Sequence, residues 1–499
     1  MTSGSHLLAR VAEYARRRPS AVAVRELRSG AAIPTLTYAA LDACLNAFAQ
    51  RLRAHVHPGC VVLLCSPNRT EVLPAFLAVL AAGAVVMPIH PALTTMEVLE
   101  VVRRTRAVAT VCSAERKDEF ARLGLPCFEI DQVLNGIVAP SPHPPVDPAL
   151  ASRHSGLMLQ TSGTTGEPNI ACRSARSLDA VARNVAESVG LREDDRVLAA
   201  IPLCHSYGVE NGLLGPLWAG SAVHVTDGLH LPIVFEQLMG GATVFPGVPF
   251  MFEVLADAVP LRAGDSAVVS SLRTVYSAGS ALPTRVEQAF AARFGLRVGQ
   301  LYGSTEVGSV TFSDPNSTSF DPSSVGRPMP GVDIRIVAAE CPQPSRPLAV
   351  TQEGLVAVSA PSMLDRYLDA QAPIFEGYFL TGDLGRLDSE GRLTITGRLK
   401  LLIDVGGFKV NPTEVELVIK EHPSVGECIV VPMPLTQTVS RLKAIVTGRG
   451  DAPISTDDLR QFARARLAAY KVPRMFEVRK DLPRSPTGKV LLRQLETVE

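Results

Sequence analysis

Between Leu36 and Pro91, helix-periodic stretches alternate with short runs that are apolar throughout, CVVLLC at 60–65 and GAVVMPI at 83–89. Runs of that length, rich in Val and Leu and without polar alternation, suit strands buried on both faces. Strands that alternate with helices predict parallel α/β units. The longest apolar stretch, Leu73 to Ile89, is broken by Pro74, Gly83 and Pro88, so it predicts a buried helix, a turn and a strand rather than a membrane span. APSPHPPVDP, at 139–148, reads as a solvated linker between subdomains, and the α/β rhythm resumes beyond it. A chain of 499 residues is too long for one ordinary core, so two or more domains are expected.

Lys plus Arg and Asp plus Glu number 49 each, which leaves no overall basic field for nucleic acid or anionic lipid. The nine cysteines, Cys44, Cys60, Cys65, Cys112, Cys127, Cys172, Cys204, Cys341 and Cys428, are odd in number and scattered, with no CxxC pair. That pattern predicts reduced thiols and a cytoplasmic protein. The N-terminal MTSGSHLLARVAEYARRRP mixes apolar and basic residues where a secretory signal needs an unbroken apolar core, so export is not expected. The sequons at Asn68 and Asn316 are then chance matches.

Val286, Phe290 and Phe294 recur at four-residue spacing and predict a helix over 282–294, with Arg285, Glu287 and Arg293 toward water. Beyond Arg398 the texture changes. NPTE marks a helix start, with Asn411 as N-cap, Pro412 in the first turn and Glu414 three residues on. A second helix is predicted over 457–470, stopped ahead of Pro473. The expected division is therefore 1–398 and 399–499, the latter long enough for a small α+β domain of its own.

LMLQTSGTTG carries an apolar strand into Thr161, Ser162, Gly163, Thr164, Thr165 and Gly166. These hydroxyls and glycines, directly after a strand, suit a cradle of backbone N–H groups and side chains for phosphate oxygens. A polar turn is the plain alternative. The Gly-x-x-x-x-Gly-Lys-Ser/Thr spacing of a P-loop is absent, because Gly488 and Lys489 are followed by Val490, and the Rossmann fingerprint is missing too.

LTYAALDACLNAFAQRL and PNRTEVLPAFLAVLAAGAVVMPIHP precede this loop, and IPLCHSYG, YSAGSALP, LYGSTEVG, LTGDLGRLDSEGRLTITGRLK, VGGFKVNPTEVE and LPRSPTGKV follow it in order. With these motifs the chain resembles, over nearly its whole length, the adenylate-forming superfamily, which includes acyl- and aryl-CoA synthetases, nonribosomal adenylation domains and firefly luciferase. The resemblance implies an α/β N-terminal domain of three subdomains and a smaller, mobile α+β C-terminal domain that pivots near Lys400. It also implies ATP- and Mg²⁺-dependent activation of a small carboxylic acid to acyl-AMP, followed by thioester formation with coenzyme A.

Roles for single residues follow from the same resemblance. Tyr302 would stack on adenine, Thr305 would contact the α-phosphate region and Glu306 would hold Mg²⁺, a hard carboxylate oxygen for a hard cation. Gly279, Ser280 and Ala281 would line the adenine pocket. Asp383 would accept from both ribose hydroxyls, and Arg398 would assist at the ribose or phosphates. Lys489 would be the catalytic lysine, a positive charge where the carboxylate meets the α-phosphate. His205 would gate the acyl pocket near the nascent carboxylate, a satisfied core histidine being the alternative. Gly406 and Gly407 would border the pantetheine tunnel, a hairpin turn being the alternative. The acyl tail would lie among Tyr207, Gly208, Phe250, Ser277, Gly303 and Ser304.

Three positions depart from the family pattern. Asn169 stands where the loop usually has lysine, Ile170 where glycine is common, and Asp404 where some relatives carry a second lysine. Arg173 is either a replacement charge for the triphosphate or, more simply, a surface arginine. Amino-acid-activating relatives carry an aspartate in the segment occupied here by HSYG, because an α-ammonium needs an anion opposite it, so an aryl or aliphatic acid is expected. Two rival readings are delivery to a carrier-protein pantetheine and, prompted by Asn169, a non-catalytic acyl-nucleotide binding protein.

Overall fold

A computed structural model of the chain describes residues 6–27, 35–91, 93, 95–137, 154–161, 169–258, 271–398, 403–405, 408–410, 412–434, 440–450, 454–467, 469–484 and 490–496. Two compact units emerge. The first comprises Met1–Arg335, Ala357–Thr381 and Leu387–Thr394, and the second Ile336–Val356, Gly382–Arg386 and Ile395–Glu499. The linker at 139–148 lies outside the described residues.

In the first unit the apolar runs become strands of two large sheets. One has seven strands, in the order Arg366–Tyr367, Ile170–Ser174, Gly156–Gln160, Val85–Ile89, Val61–Cys65, Ala109–Cys112 and Cys127–Glu129. Val61–Cys65 runs parallel to both of its neighbours, as strands linked by helical crossovers must. The other sheet has nine strands, and Arg196–Ala199, Ala222–Val225, Val244–Gly247, Thr274–Ser277 and Val298–Ser304 are its parallel heart. Leu73 to Ile89 folds as its interruptions predict, into the helix Val72–Ala81, a turn at Gly83 with φ +81° and the strand Val85–Ile89. Every residue of that helix is buried, in one core with side chains of both sheets. A helix apolar on all sides needs such a double cover.

The helix expected over 282–294 spans Thr284–Phe294, because Pro283 adopts an extended conformation at its N-cap. Glu287 does not face water as expected but is only 8% exposed. The helix packs in one core with the sheet and with the helix Pro249–Asp257, so its covered arc is wider than the four-residue stripe.

The second unit contains a three-stranded sheet. Val425–Pro434 pairs antiparallel with Ser440–Gly448, which runs parallel to Met475–Val478, and the helices Pro412–Lys420 and Thr456–Arg464 share its core. Ser455 caps the latter helix by accepting from the Asp458 N–H at 3.2 Å. That helix stops short of Tyr470, and residues 469–471 form a separate 3₁₀ turn. Among the described residues no helix is long and apolar enough to cross a membrane. All nine cysteines are free thiols.

Candidate active site

Ligands of open α/β sheets gather at the carboxyl ends of parallel strands, where loops rather than backbone ladders meet solvent. In the nine-stranded sheet those ends deliver the singled-out segments in turn. Arg196–Ala199 leads to Pro202–Gly208, Val244–Gly247 to Phe250, Thr274–Ser277 to Gly279–Ala281, and Val298–Ser304 to Thr305 and Glu306.

The segment holding His205 is tied from below by Asn68, whose amide donates to the carbonyls of Ile201 (2.9 Å) and Thr226 (3.2 Å) and accepts from the Leu203 N–H at 2.8 Å. Asn68 is only 6% exposed, so the sequon is indeed a structural amide. Nothing in the local sequence signals this task. His205, half-buried, precedes the short helix Ser206–Val209, and its backbone carbonyl accepts from the Val209 N–H. Gly208 is sterically required, since a Cβ there would stand 2.2 Å from the Pro202 carbonyl oxygen. Tyr207 shares its one hydroxyl proton between the carbonyls of Gly247 (3.2 Å) and Tyr276 (3.4 Å), and burial pushes the phenol well above its ordinary range. Ser277 ends its strand with a buried hydroxyl that has no partner among the described residues, whereas Phe250 is 61% exposed.

Tyr302 to Glu306 round the turn of an antiparallel hairpin whose register shifts between Tyr302 and Gly303, an irregularity that re-aims side chains beside the turn. Gly303 admits the return strand, because a Cβ would lie 2.2 Å from the Gly308 carbonyl oxygen. Ser206 and Thr305 meet across the site with hydroxyl oxygens 3.4 Å apart. Glu306 Oε1 accepts from the Tyr367 hydroxyl at 2.8 Å. Burial, aided by the adjacent carboxylate, holds that phenol neutral, so it remains a donor. Tyr367 pairs with Ala171 on the strand Ile170–Ser174, a partnership invisible in sequence. Among the described residues no three His, Cys, Asp or Glu converge as a metal cage. A single carboxylate suits a cation completed by substrate phosphates rather than one enclosed by protein.

Thr161 donates its N–H to the Asn169 carbonyl at 2.8 Å. Ser162, Gly163, Thr164, Thr165 and Gly166 lie outside the described residues, as do Lys400, Gly406, Gly407 and Lys489. Arg173 fits neither expectation for it. Its side chain is fully buried and ion-paired with Glu210, so it is neither on the surface nor open to a triphosphate. In the second unit Asp383, 4% exposed, pairs with the exposed Arg398 from a neighbouring strand.

Residues 11–368 match the family model for the AMP-binding enzyme, and residues 414–489 match that for the AMP-binding enzyme C-terminal domain. The chain belongs to the AMP-binding enzyme family. Mouse mitochondrial malonate–CoA ligase is 30% identical over 87% of this chain and 81% of its own length. A feruloyl-CoA synthase from an Amycolatopsis species is 30% identical over 96% of each chain. The crystal structure of ATP-bound MatB from Rhodopseudomonas palustris superposes with a TM-score of 0.88 at 25% identity, covering 99% of this chain and 98% of that one. The fold is thus that of adenylate-forming enzymes, a large N-terminal and a smaller C-terminal domain. This member of the family is an AMP-forming acyl-CoA synthetase, which activates a carboxylic acid with ATP and passes the acyl group to coenzyme A. Carrier-protein delivery finds no support among these CoA-ligating relatives.

Proposed function

We propose that this acyl-CoA synthetase acts on carboxylic acids with an uncharged aryl or aliphatic tail. One observation carries the reading: the Tyr207 hydroxyl is committed to two backbone carbonyls, so the ring, not the phenol, is available to the acid. In this reading Gly208, Phe250, Ser277, Gly303 and Ser304 line the tail with it, and none of them carries a charge. A second carboxylate among them would be desolvated without a counter-charge, whereas an apolar tail would not.

In the same reading Tyr302 stacks on adenine beside Gly279, Ser280 and Ala281, Asp383 and Arg398 serve the ribose and phosphates, and Thr161–Gly166 cradle the phosphates. His205 and Thr305 flank the nascent carboxylate and α-phosphate. Glu306, steadied by Tyr367, supplies the hard oxygen that Mg²⁺ would take, and the cation would neutralise phosphate charge. Lys489 supplies positive charge to the adenylation step, Gly406 and Gly407 leave room for the pantetheine arm, and the chain divides functionally at 398/399. Pyrophosphate release should be measured for aryl, aliphatic and dicarboxylic acids, with and without coenzyme A. Highest kcat/KM on an aryl or aliphatic monocarboxylate is the expected result, and a preference for malonate or oxalate would overturn the uncharged-tail reading.

A further inference from the structure

Arg173, Glu210 and Ser309 form a buried cluster beneath the segments just described. Arg173 Nη1 is ion-paired with Glu210 Oε1, the two side chains being 0% and 2% exposed. Glu210 Oε2 accepts from both the N–H (2.8 Å) and the hydroxyl (2.6 Å) of Ser309. Asn211 extends the cluster. Its amide donates to Ser309 Oγ (3.2 Å) and to the Tyr207 carbonyl (3.3 Å), and its Oδ1 accepts from the Tyr276 hydroxyl (3.0 Å). The guanidinium also lies against Gly308, where an added Cβ would stand 3.0 Å from Arg173 Nη2.

The members lie just beyond three different segments of the site. Arg173 lies on the strand Ile170–Ser174 that leaves the phosphate loop, Glu210 and Asn211 follow His205–Gly208, and Ser309 follows Tyr302–Glu306. Stability alone explains the pair poorly. Arg173 Nε and Nη2 have no hydrogen-bond partner among the described residues, and an incompletely satisfied buried ion pair is seldom better than an apolar pair of similar volume. What it adds is register, because a bidentate acceptor and a charge fix three strands and helices to one another where apolar packing would let them slide.

We propose that the Arg173–Glu210 pair is a positioning device for catalysis, locking the exits of the phosphate, acyl and adenine segments so that ATP and acid are presented together. It rests on the reading of those segments as substrate-facing. Two double variants separate positioning from stability. Arg173→Met with Glu210→Leu removes charge and acceptor, while Arg173→Met with Glu210→Gln removes the charge and keeps an amide oxygen for Ser309. The Gln form should melt near the wild-type temperature and the Leu form somewhat lower, because it leaves the buried Ser309 N–H without its acceptor, so kinetics are compared well below both melting temperatures. The Leu form should lose about tenfold in kcat/KM, with KM raised for ATP and acid alike, and the Gln form should recover most of it. Wild-type kcat/KM in a well-folded Leu form would overturn the proposal, as would a loss confined to one substrate. If the Leu form does not fold, Ser309→Ala decides: a raised KM for both substrates at unchanged melting temperature supports the device, and unchanged kinetics overturn it. Tyr302→Ala tests the underlying reading separately, since it should raise the KM for ATP whether or not the pair positions anything.

Discussion

Asn169 accepts from the Thr161 N–H through its carbonyl and offers an amide where the family pattern usually has lysine, so in the proposed reading one charge toward the triphosphate is missing. Asn169→Lys should lower the KM for ATP by at most about 1.5–3 kcal/mol, the worth of one charge-assisted hydrogen bond, with kcat little changed. Steady-state pyrophosphate release against ATP concentration checks it, and an unaltered KM would mean that position 169 does not face the phosphates. In the same proposed reading Tyr367 acts one step further out, through Glu306. Tyr367→Phe removes the 2.8 Å bond that orients the carboxylate, so half-saturation by Mg²⁺ should require several-fold more cation, within about 1.5–3 kcal/mol, while kcat at saturating Mg²⁺ survives. Titrating activity with Mg²⁺ at fixed ATP separates this from a loss of folded enzyme.

Asp195 organises the end of the nine-stranded sheet opposite to the site. It accepts from the Arg192 N–H (2.7 Å), the Thr243 hydroxyl (2.7 Å) and Arg273 Nε (2.8 Å), and so ties the starts of three parallel strands. Burial pushes its carboxyl up, but the donors from Arg273, Thr243 and Arg192 more than offset this and hold it below the usual range. A folded-state value below the unfolded one, about 3.9, stabilises the fold fully above that pH and ceases to do so as pH falls through the folded value. Asp195→Asn should therefore cost about 2–3 kcal/mol at pH 7 and converge with wild type toward acid pH, read from denaturant melts across a pH series. Because this cluster lies at the strand starts, KM values of the folded variant should stay near wild type.

At the scale of the whole chain, two half-reactions share one protein, and residues 399–499 hold groups proposed for each, Lys489 for adenylation and Gly406 and Gly407 for the thiol. Lys489→Ala should slow acyl-AMP formation about a hundredfold, on the scale of one preorganised charge stabiliser, yet leave thioester formation from supplied acyl-AMP. Lys400→Pro, which fixes φ at the proposed pivot, should do the reverse. Assaying the half-reactions separately checks both. Equal losses in the two half-reactions for Lys489→Ala would remove its assignment, and two intact half-reactions for Lys400→Pro would remove the pivot.

The sequence by itself determined what lies in local pattern and residue type. Leu73 to Ile89 became helix, turn and strand because Pro74, Gly83 and Pro88 constrain the backbone wherever the segment packs. The ordered motifs around Thr161, His205, Tyr302 and Lys489 sufficed to reach the family by resemblance. Only the tertiary structure decided how polar groups are partnered. Arg173 finds Glu210 across 37 residues, Glu306 finds Tyr367 across 61, and Asn68 reaches Ile201 across 133. No sequence window contains both ends of such bonds. Whether a lone arginine meets water or a buried carboxylate depends on what the rest of the chain packs against it, because desolvation and pairing are fixed only when the core closes.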